Sequence, residues 1–242
     1  YNKGDFKQAI LFFNESKVYD INSRIFFLSC FWEADSYYKL GDFLESAKIY
    51  GELSLDDNRV LEDYINLRIY NYAYCFFKLG DYERSNQLFR SYIGNSNDSM
   101  MLNDSYLRIA DGFFMNKEFL LSQEYYAKAY KIGLFDIDYS LYQQSVCLDL
   151  LGKKNKQLDI LNRIVDRYRE SPYFDEALLD LAVYYKEINN TELALSFYDT
   201  LLIYTKDLEL QANIFLSKGM IYFNSNKTDL AIQSLSYVIE NF

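Results

Sequence analysis

The sequence predicts an all-α fold, a solenoid of antiparallel helix pairs, and three regularities carry that prediction. Small residues recur at Ala9, Ser46, Ser85, Ser122, Ala194 and Ala231, with Gln157 holding the same place in one unit, at separations of 37, 39, 37, 35, 37 and 37. A near-constant period of this length marks stacked supersecondary units rather than one layered core. Twelve residues before the last six of these positions stand Ala34, Ala73, Ala110, Ser145, Ala182 and Gly219, every one small. Five residues before each second-helix position stands Gly4, Gly41, Gly80, Lys117, Gly152, Asn189 or Asn226. Gly and Asn tolerate the left-handed backbone that ends a helix.

The elements follow in order. Residues 1–20 supply a lone second helix. Pairs are then predicted at 24–40 with 42–55, 60–79 with 81–94, 99–115 with 117–132, 137–151 with 154–169, 172–188 with 190–204, and 207–224 with 226–241. Asp5, Asp42 and Asp81 follow their glycines directly and suit the N-cap of the next helix. Lys117 is the departure, and Asn116 beside it is expected to take the left-handed position. Ser171-Pro172 reads as a helix start, serine at the cap and proline at the first helical position. The repeats so drawn are about 23–58, 60–97, 99–134, 136–170, 172–206 and 207–242, a single array. The lone helix at the start and the abrupt stop at Asn241-Phe242 read as an excerpt of a longer one.

The small positions have a steric rationale. Two helices cross closely only where one side chain is small, and large neighbours fill the remaining wedge. Phe13, Tyr50, Phe89, Tyr126, Leu161, Tyr198 and Leu235 stand four residues after the second-helix positions; Tyr37, Phe76, Phe113, Leu148, Tyr185 and Tyr222 stand three after the first-helix ones.

Composition narrows the function. Half of the 242 residues are apolar, and one proline and nine glycines leave little material for linkers. A formal net charge of −10 repels phosphate backbones and anionic lipid, so no nucleic-acid partner is expected. Lys153, Lys154 and Lys156, the densest basic run, fall in a predicted inter-helix turn. The chain has no histidine, which removes the usual general base and every His-containing metal site. Cys30, Cys75 and Cys147 have no CxxC spacing and read as buried free thiols; Cys75 and Cys147 lie two repeats apart, too far to pair. Asp56-Asp57 and Asp136/Asp138 fall in inter-repeat turns without a calcium-loop pattern. No phosphate loop, no GxSxG and no run of the roughly 18–20 apolar residues that spans a bilayer appears. No catalytic residue, cofactor or metal is expected.

These positions resemble the tetratricopeptide repeat (TPR), whose first helix carries a large residue, Leu, a small residue and Tyr, and whose second carries Ala followed four later by Phe or Tyr. Leu178, Leu181, Ala182 and Tyr185 with Ala194 and Tyr198 follow it nearly position for position. The period exceeds the family's 34 residues, and the proline that commonly closes a repeat is replaced by Asn58, Asn97, Arg169 and Lys206. The resemblance implies a right-handed α-α superhelix whose first helices line a ligand groove. Positions three before and one and four after the small residue would touch the ligand.

Carried onto this sequence, the groove set is Phe31, Tyr70, Leu107, Tyr142, Leu179 and Leu216, then Asp35, Tyr74, Asp111, Val146, Val183 and Met220, then Tyr38, Phe77, Phe114, Asp149, Lys186 and Phe223. Phe31, Tyr38, Tyr70, Tyr74, Phe77, Asp111 and Tyr142 are the candidate partner-binding residues, on an aromatic, partly acidic face. The same aromatics also fit burial between repeats. Only Lys186, Asn71 and Arg108 approach a carboxylate clamp, so an extended apolar or Tyr-rich peptide or a partner helix is the expected ligand. The stretch with Ser171-Pro172-Tyr173 and Glu176-Ala177 is similar to periplasmic TPR proteins of the Tol-Pal system and to outer-membrane assembly lipoproteins, which implies a bacterial envelope location, periplasmic or outer-membrane-associated. The expected function is a non-catalytic protein-binding scaffold. The alternatives are a structural or regulatory arm of a larger protein, possibly self-associating end to end and cytoplasmic, or a carbohydrate-binding groove.

Overall fold

The computed structural model describes residues 4–18, 24–53 and 62–241. Among them are thirteen helices and no strand. They are α1 Phe6–Lys17, α2 Arg24–Lys39, α3 Phe43–Glu52, α4 Glu62–Leu79, α5 Tyr82–Asn95, α6 Ser99–Met115, α7 Phe119–Ile132, α8 Ile137–Leu150, α9 Lys154–Arg167, α10 Phe174–Glu187, α11 Thr191–Tyr204, α12 Leu208–Asn224 and α13 Thr228–Asn241. Every predicted helix that falls on described residues is present. Asp56, Asp57 and Asn58 lie outside the described residues.

The chain divides into two compact units, Tyr1–Ile137 and Asp138–Phe242. In the first, each helix from α1 to α7 packs on the next, and the first helices of successive pairs, α2, α4 and α6, also touch one another. In the second, α9 to α13 pack sequentially.

The twelve-residue spacing has an atomic cause. Ser46 on α3 donates its hydroxyl to the Ala34 carbonyl of α2 at 2.7 Å, and Ser122 on α7 donates to the Ala110 carbonyl of α6 at 2.9 Å. Each bond pins a second helix to the small residue of its partner. Ala34, Ala73, Ala110, Ser145 and Ala182 are all fully buried. At the last crossing the room is smaller still: a Cβ on Gly219 would stand 2.8 Å from Leu235. The large residues close the wedges, with Tyr50, Phe89, Tyr126 and Tyr198 almost completely buried. Each such ring contributes roughly 1.5–3 kcal/mol of transfer free energy.

The turns hold the register. Asp5, Asp42 and Asp81 accept from the backbone N–H of Gln8, Glu45 and Arg84 at 3.0–3.2 Å. Gly4, Gly41, Gly80 and Gly152 adopt positive φ, as do Asn189 and Asn226. Asn116 does not relieve Lys117: Asn116 sits at φ −81° and Lys117 itself takes φ +62°. The helix-ending geometry is set by the hairpin and overrides the side chain there.

Ser171 is not the N-cap. Helix α10 begins at Phe174 with Tyr173 as its cap residue, and the Ser171 hydroxyl instead accepts from the Tyr173 N–H at 3.1 Å. Two other inter-repeat turns are built alike. Ser96 accepts from Asp98 N–H and Thr205 from Asp207 N–H, both at 3.2 Å. Asp98 and Asp207 then cap α6 and α12 through two N–H groups each. At Ser96 and Thr205 a hydroxyl-closed turn followed by an acidic cap stands where the resemblance would place proline.

The lysine run opens a helix rather than a turn. Lys153 is the cap residue of α9 and Lys154 its first residue, with Lys154 Nζ 2.6 Å from Asp149. Cations at a helix N-terminus oppose its dipole, and Asp149 offsets one of them. All three cysteines are buried and outside any disulfide, and burial pushes Cys30 and Cys75 up to about 11.

Candidate functional site

The first helices α2 and α4 enclose a cavity of about 190 Å³ lined by Asp35, Tyr38 and Lys39 from one side and Tyr70, Asn71 and Tyr74 from the other. Four of these, Asp35, Tyr38, Tyr70 and Tyr74, are groove positions expected from the repeat pattern. They converge because α2 and α4 occupy equivalent places in adjacent repeats. The positions one and four after Ala34 and those three before and one after Ala73 all turn to the shared seam.

The tyrosines are oriented from behind. Tyr70 donates its hydroxyl to Asp104 Oδ2 of α6 at 2.7 Å, and Tyr74 donates to the same oxygen. The two rings meet edge to face with centroids 5.1 Å apart, and Tyr38 lies edge-on to Tyr74 at 6.5 Å. Burial, reinforced for Tyr70 and Tyr74 by the Asp104 charge, pushes all three phenols upward, Tyr38 to about 12. They stay neutral throughout the physiological range.

Asp104 belongs to a chain of paired charges along α6. Arg108 lies 3.5 Å from Asp104 and 2.7 Å from Asp111, and its guanidinium sits 5.6 Å from the Phe77 ring centroid. Asp111 also accepts the Tyr126 hydroxyl at 2.6 Å. Reasoning from repeat positions missed Asp104. Its signal is the 104, 108, 111 spacing, an acid, a base and an acid on one helical stripe.

The seven candidates thus separate. Tyr38, Tyr70 and Tyr74 line the cavity, while Phe77 lies outside that lining, edge-on to Tyr74 and 5.6 Å from the Arg108 guanidinium. Phe31 is a correction: it is 1% exposed, packed edge-on against Trp32, Tyr50 and Tyr64, and unavailable to a partner. Leu107, from the same position, is likewise wholly buried. Tyr70, from the same position, instead lines the cavity, so it is the local packing around Phe31 and Leu107 that buries them. Asp111 is buried and committed to Arg108 and Tyr126, so it supports the wall rather than the surface. Tyr142 belongs to the second unit, where it stacks on Tyr173 with centroids 4.9 Å apart.

Around Tyr142 the second unit is acidic. Burial, then Asp180 and Glu176, pushes its hydroxyl up to about 12. Asp180 itself is raised to about 6, first by burial and then by Asp149, with Lys154 opposing. Further along the same unit the expected positions Leu216, Met220 and Phe223 form an exposed stripe on α12. Arg108 and Asn71 are no carboxylate clamp: the first is paired with two carboxylates, and the second donates to the Tyr50 hydroxyl at 3.1 Å. Among the described residues, no acidic, histidine or cysteine cluster could hold a metal, and no helix is long and apolar enough to cross a membrane.

Residues 69–99 match the family model described as Tetratricopeptide repeat. This segment spans most of α4 and all of α5, one side of the cavity included. No curated protein matches the chain in sequence. Among solved structures, it is similar to the C-terminal part of a TPR repeat-containing protein from Cytophaga hutchinsonii, at 15% identity, over 100% of this chain and 93% of that one, with a TM-score of 0.71. It is also similar to the apo form of RapI, at 14% identity over 89% of this chain and 64% of that chain, with a TM-score of 0.64. A third is YrrB, described as a TPR protein with an unusual peptide-binding site, at 14% identity over 82% and 94% of the two chains, with a TM-score of 0.58. The fold is that of the TPR solenoids, and one repeat of it is matched in sequence.

Proposed function

We propose that this chain is a non-catalytic scaffold that holds a protein or peptide partner on the face formed by its first helices, with the α2–α4 cavity as its anchor point. The observation that carries this reading is the convergence of Asp35, Tyr38, Tyr70 and Tyr74 on one open cavity, at the positions where the repeat pattern places ligand contacts. Half-buried tyrosines suit such a surface, because the ring is apolar and the hydroxyl is satisfied. A solved neighbour of the same fold, YrrB, is described as having a peptide-binding site. The proposed setting is a bacterial envelope complex, supported by the sequence similarity around Ser171-Pro172-Tyr173; cell fractionation with an epitope-tagged chain tests it.

Photo-crosslinking decides the main reading. Benzoylphenylalanine replacing Tyr38 should give one discrete adduct in the native cell, while the same group replacing Leu44, 70% exposed on α3, should not. No adduct at position 38, or equal adducts at both, overturns the assignment. The second reading is a structural arm that associates through the last helix pair. It is favoured by the exposure of Ile232 and Ile239 on α13 beside the α12 stripe. Concentration-dependent mass in light scattering, lost in Ile232→Ser/Ile239→Ser, would support it.

A further inference from the structure

We infer that α5 and α6 part at their shared seam more readily than α3 and α4 do, and that this opening releases Tyr70 and Tyr74 of the cavity from Asp104. The opening belongs to the free chain and holds whether or not the scaffold reading does.

Successive seams of the first unit are built on equivalent positions, so their polar groups can be compared one by one. At α3–α4 the Ser46 hydroxyl donates to the Ala34 carbonyl at 2.7 Å and lies 3.2 Å from Cys75 Sγ across the seam. Its counterpart on α5 is Ser85, wholly buried and with no hydrogen-bond partner among the described residues. Opposite Ser46 stands Cys75, two after Ala73; two after Ala110 stands Gly112. Gly112 offers no side chain to the seam, and Asn86 takes up the room, its Oδ1 only 2.6 Å from where a Cβ would stand. Both amide atoms of Asn86 are enclosed and without a partner.

A second set of equivalent positions repeats the contrast. Ser29, Arg68 and Ser105 stand five residues before Ala34, Ala73 and Ala110. Ser29 Oγ is 2.6 Å from Ser16 Oγ of α1, and Arg68 Nε donates to the Tyr50 carbonyl of α3 at 2.6 Å. Ser105 is wholly buried and has no partner among the described residues. A polar group of this kind costs free energy while enclosed and recovers hydrogen bonds when water reaches it. Each one therefore favours local opening at α5–α6, where α3–α4 has its corresponding groups satisfied.

Three contacts oppose the opening. Phe89 packs with Ile109 and Phe113, and the Arg90 guanidinium lies 4.9 Å from the Phe113 ring centroid. The third is the pair of bonds from Tyr70 and Tyr74 to Asp104 of α6. While the seam is closed, both hydroxyl protons are given to Asp104. When α6 moves away they are free to be donated into the α2–α4 cavity. Opening and a hydrogen-bond acceptor in the cavity thus favour one another.

The test is labelling of the full native chain with N-ethylmaleimide, read peptide by peptide by mass spectrometry. Ser105→Cys places a thiol of nearly the same size in the α5–α6 seam, and the wholly buried Cys75 is the reference for α3–α4 in the same molecule. Each rate is divided by its value in the urea-unfolded chain. Position 105 should label about 10-fold faster than Cys75 or more. Asn86→Leu removes the enclosed amide and should slow position 105 about 10-fold with Cys75 unchanged. Tyr70→Phe/Tyr74→Phe removes the bonds to Asp104 and should speed it about 10-fold. Ser85→Cys, on the facing helix, should behave as Ser105→Cys does and gives the same reading if that variant fails to fold. Equal normalised rates at the two seams overturn the inference, as does labelling that Asn86→Leu leaves unchanged. A double tyrosine variant that labels at the parent rate overturns the link to the cavity.

Discussion

Gly112 on α6 tests the packing logic most directly. A Cβ there would stand 2.6 Å from Asn86 Oδ1, 3.1 Å from its Nδ2 and 3.2 Å from its Cγ. Asn86, on α5, is 4% exposed, and neither amide atom has a hydrogen-bond partner among the described residues. The methyl of Gly112→Ala therefore pushes a short, enclosed side chain, an overpacking that costs about 1–3 kcal/mol. Moving the amide breaks no hydrogen bond, which favours the lower part of that range. Against it, alanine in a helix interior gains about 1 kcal/mol over glycine. The single variant should be destabilised by about 0–2 kcal/mol. In an Asn86→Ala background the obstruction is gone, and the same substitution should stabilise by about 1 kcal/mol. Urea unfolding of all four proteins, compared at unchanged m, gives the coupling. A coupling of about 1–3 kcal/mol is expected; a value below about 0.5 kcal/mol would show that Asn86 is not what the methyl meets and refute the reasoning.

Three further outcomes follow from the same structure. Lys117→Gly should stabilise by about 0.5–1 kcal/mol in thermal unfolding, because it removes a non-glycine residue from φ +62° at the cost of some unfolded-chain entropy. Thr205→Val removes the hydroxyl that accepts from Asp207 N–H and should cost about 1 kcal/mol; an unchanged melt would count against the hydroxyl-closed turn as a stabilising device. Asp180, held near 6 against its ordinary 3.8, binds its proton more tightly in the folded chain, so its ionisation costs stability as pH rises through that interval and the full cost is present at neutral pH. Asp180→Asn should therefore raise stability near pH 7, by on the order of 1 kcal/mol once screening at a partly exposed site is allowed for, and leave it unchanged below about pH 3.5, as read by urea unfolding at the two pH values.

By itself, the sequence determined the helices, their pairing and the crossing points. These are legible because a close crossing needs a small side chain, as at Ala34 against Ser46, and each repeat must solve the same steric problem. The aspartate caps were legible for a similar local reason, since Asp42 satisfies an N–H only three residues away. Other features depended on neighbours far along the chain. Ser171 looked like a cap until the backbone gave its bond to Tyr173, and Lys117 took a conformation its own side chain disfavours because the hairpin demanded it.

At the site the division is sharper. Repeat position named Tyr38, Tyr70 and Tyr74, but it also named Phe31, which Trp32, Tyr50 and Tyr64 enclose in the core, and Asp111, which Arg108 and Tyr126 hold. Asp104 went unnamed although it orients two of the tyrosines, because a hydrogen bond from α4 to α6 crosses a whole repeat. Periodicity reports which faces are equivalent. Which of those side chains remain open to a ligand is decided by burial and by the partners each one finds, and those exist only once the helices are packed.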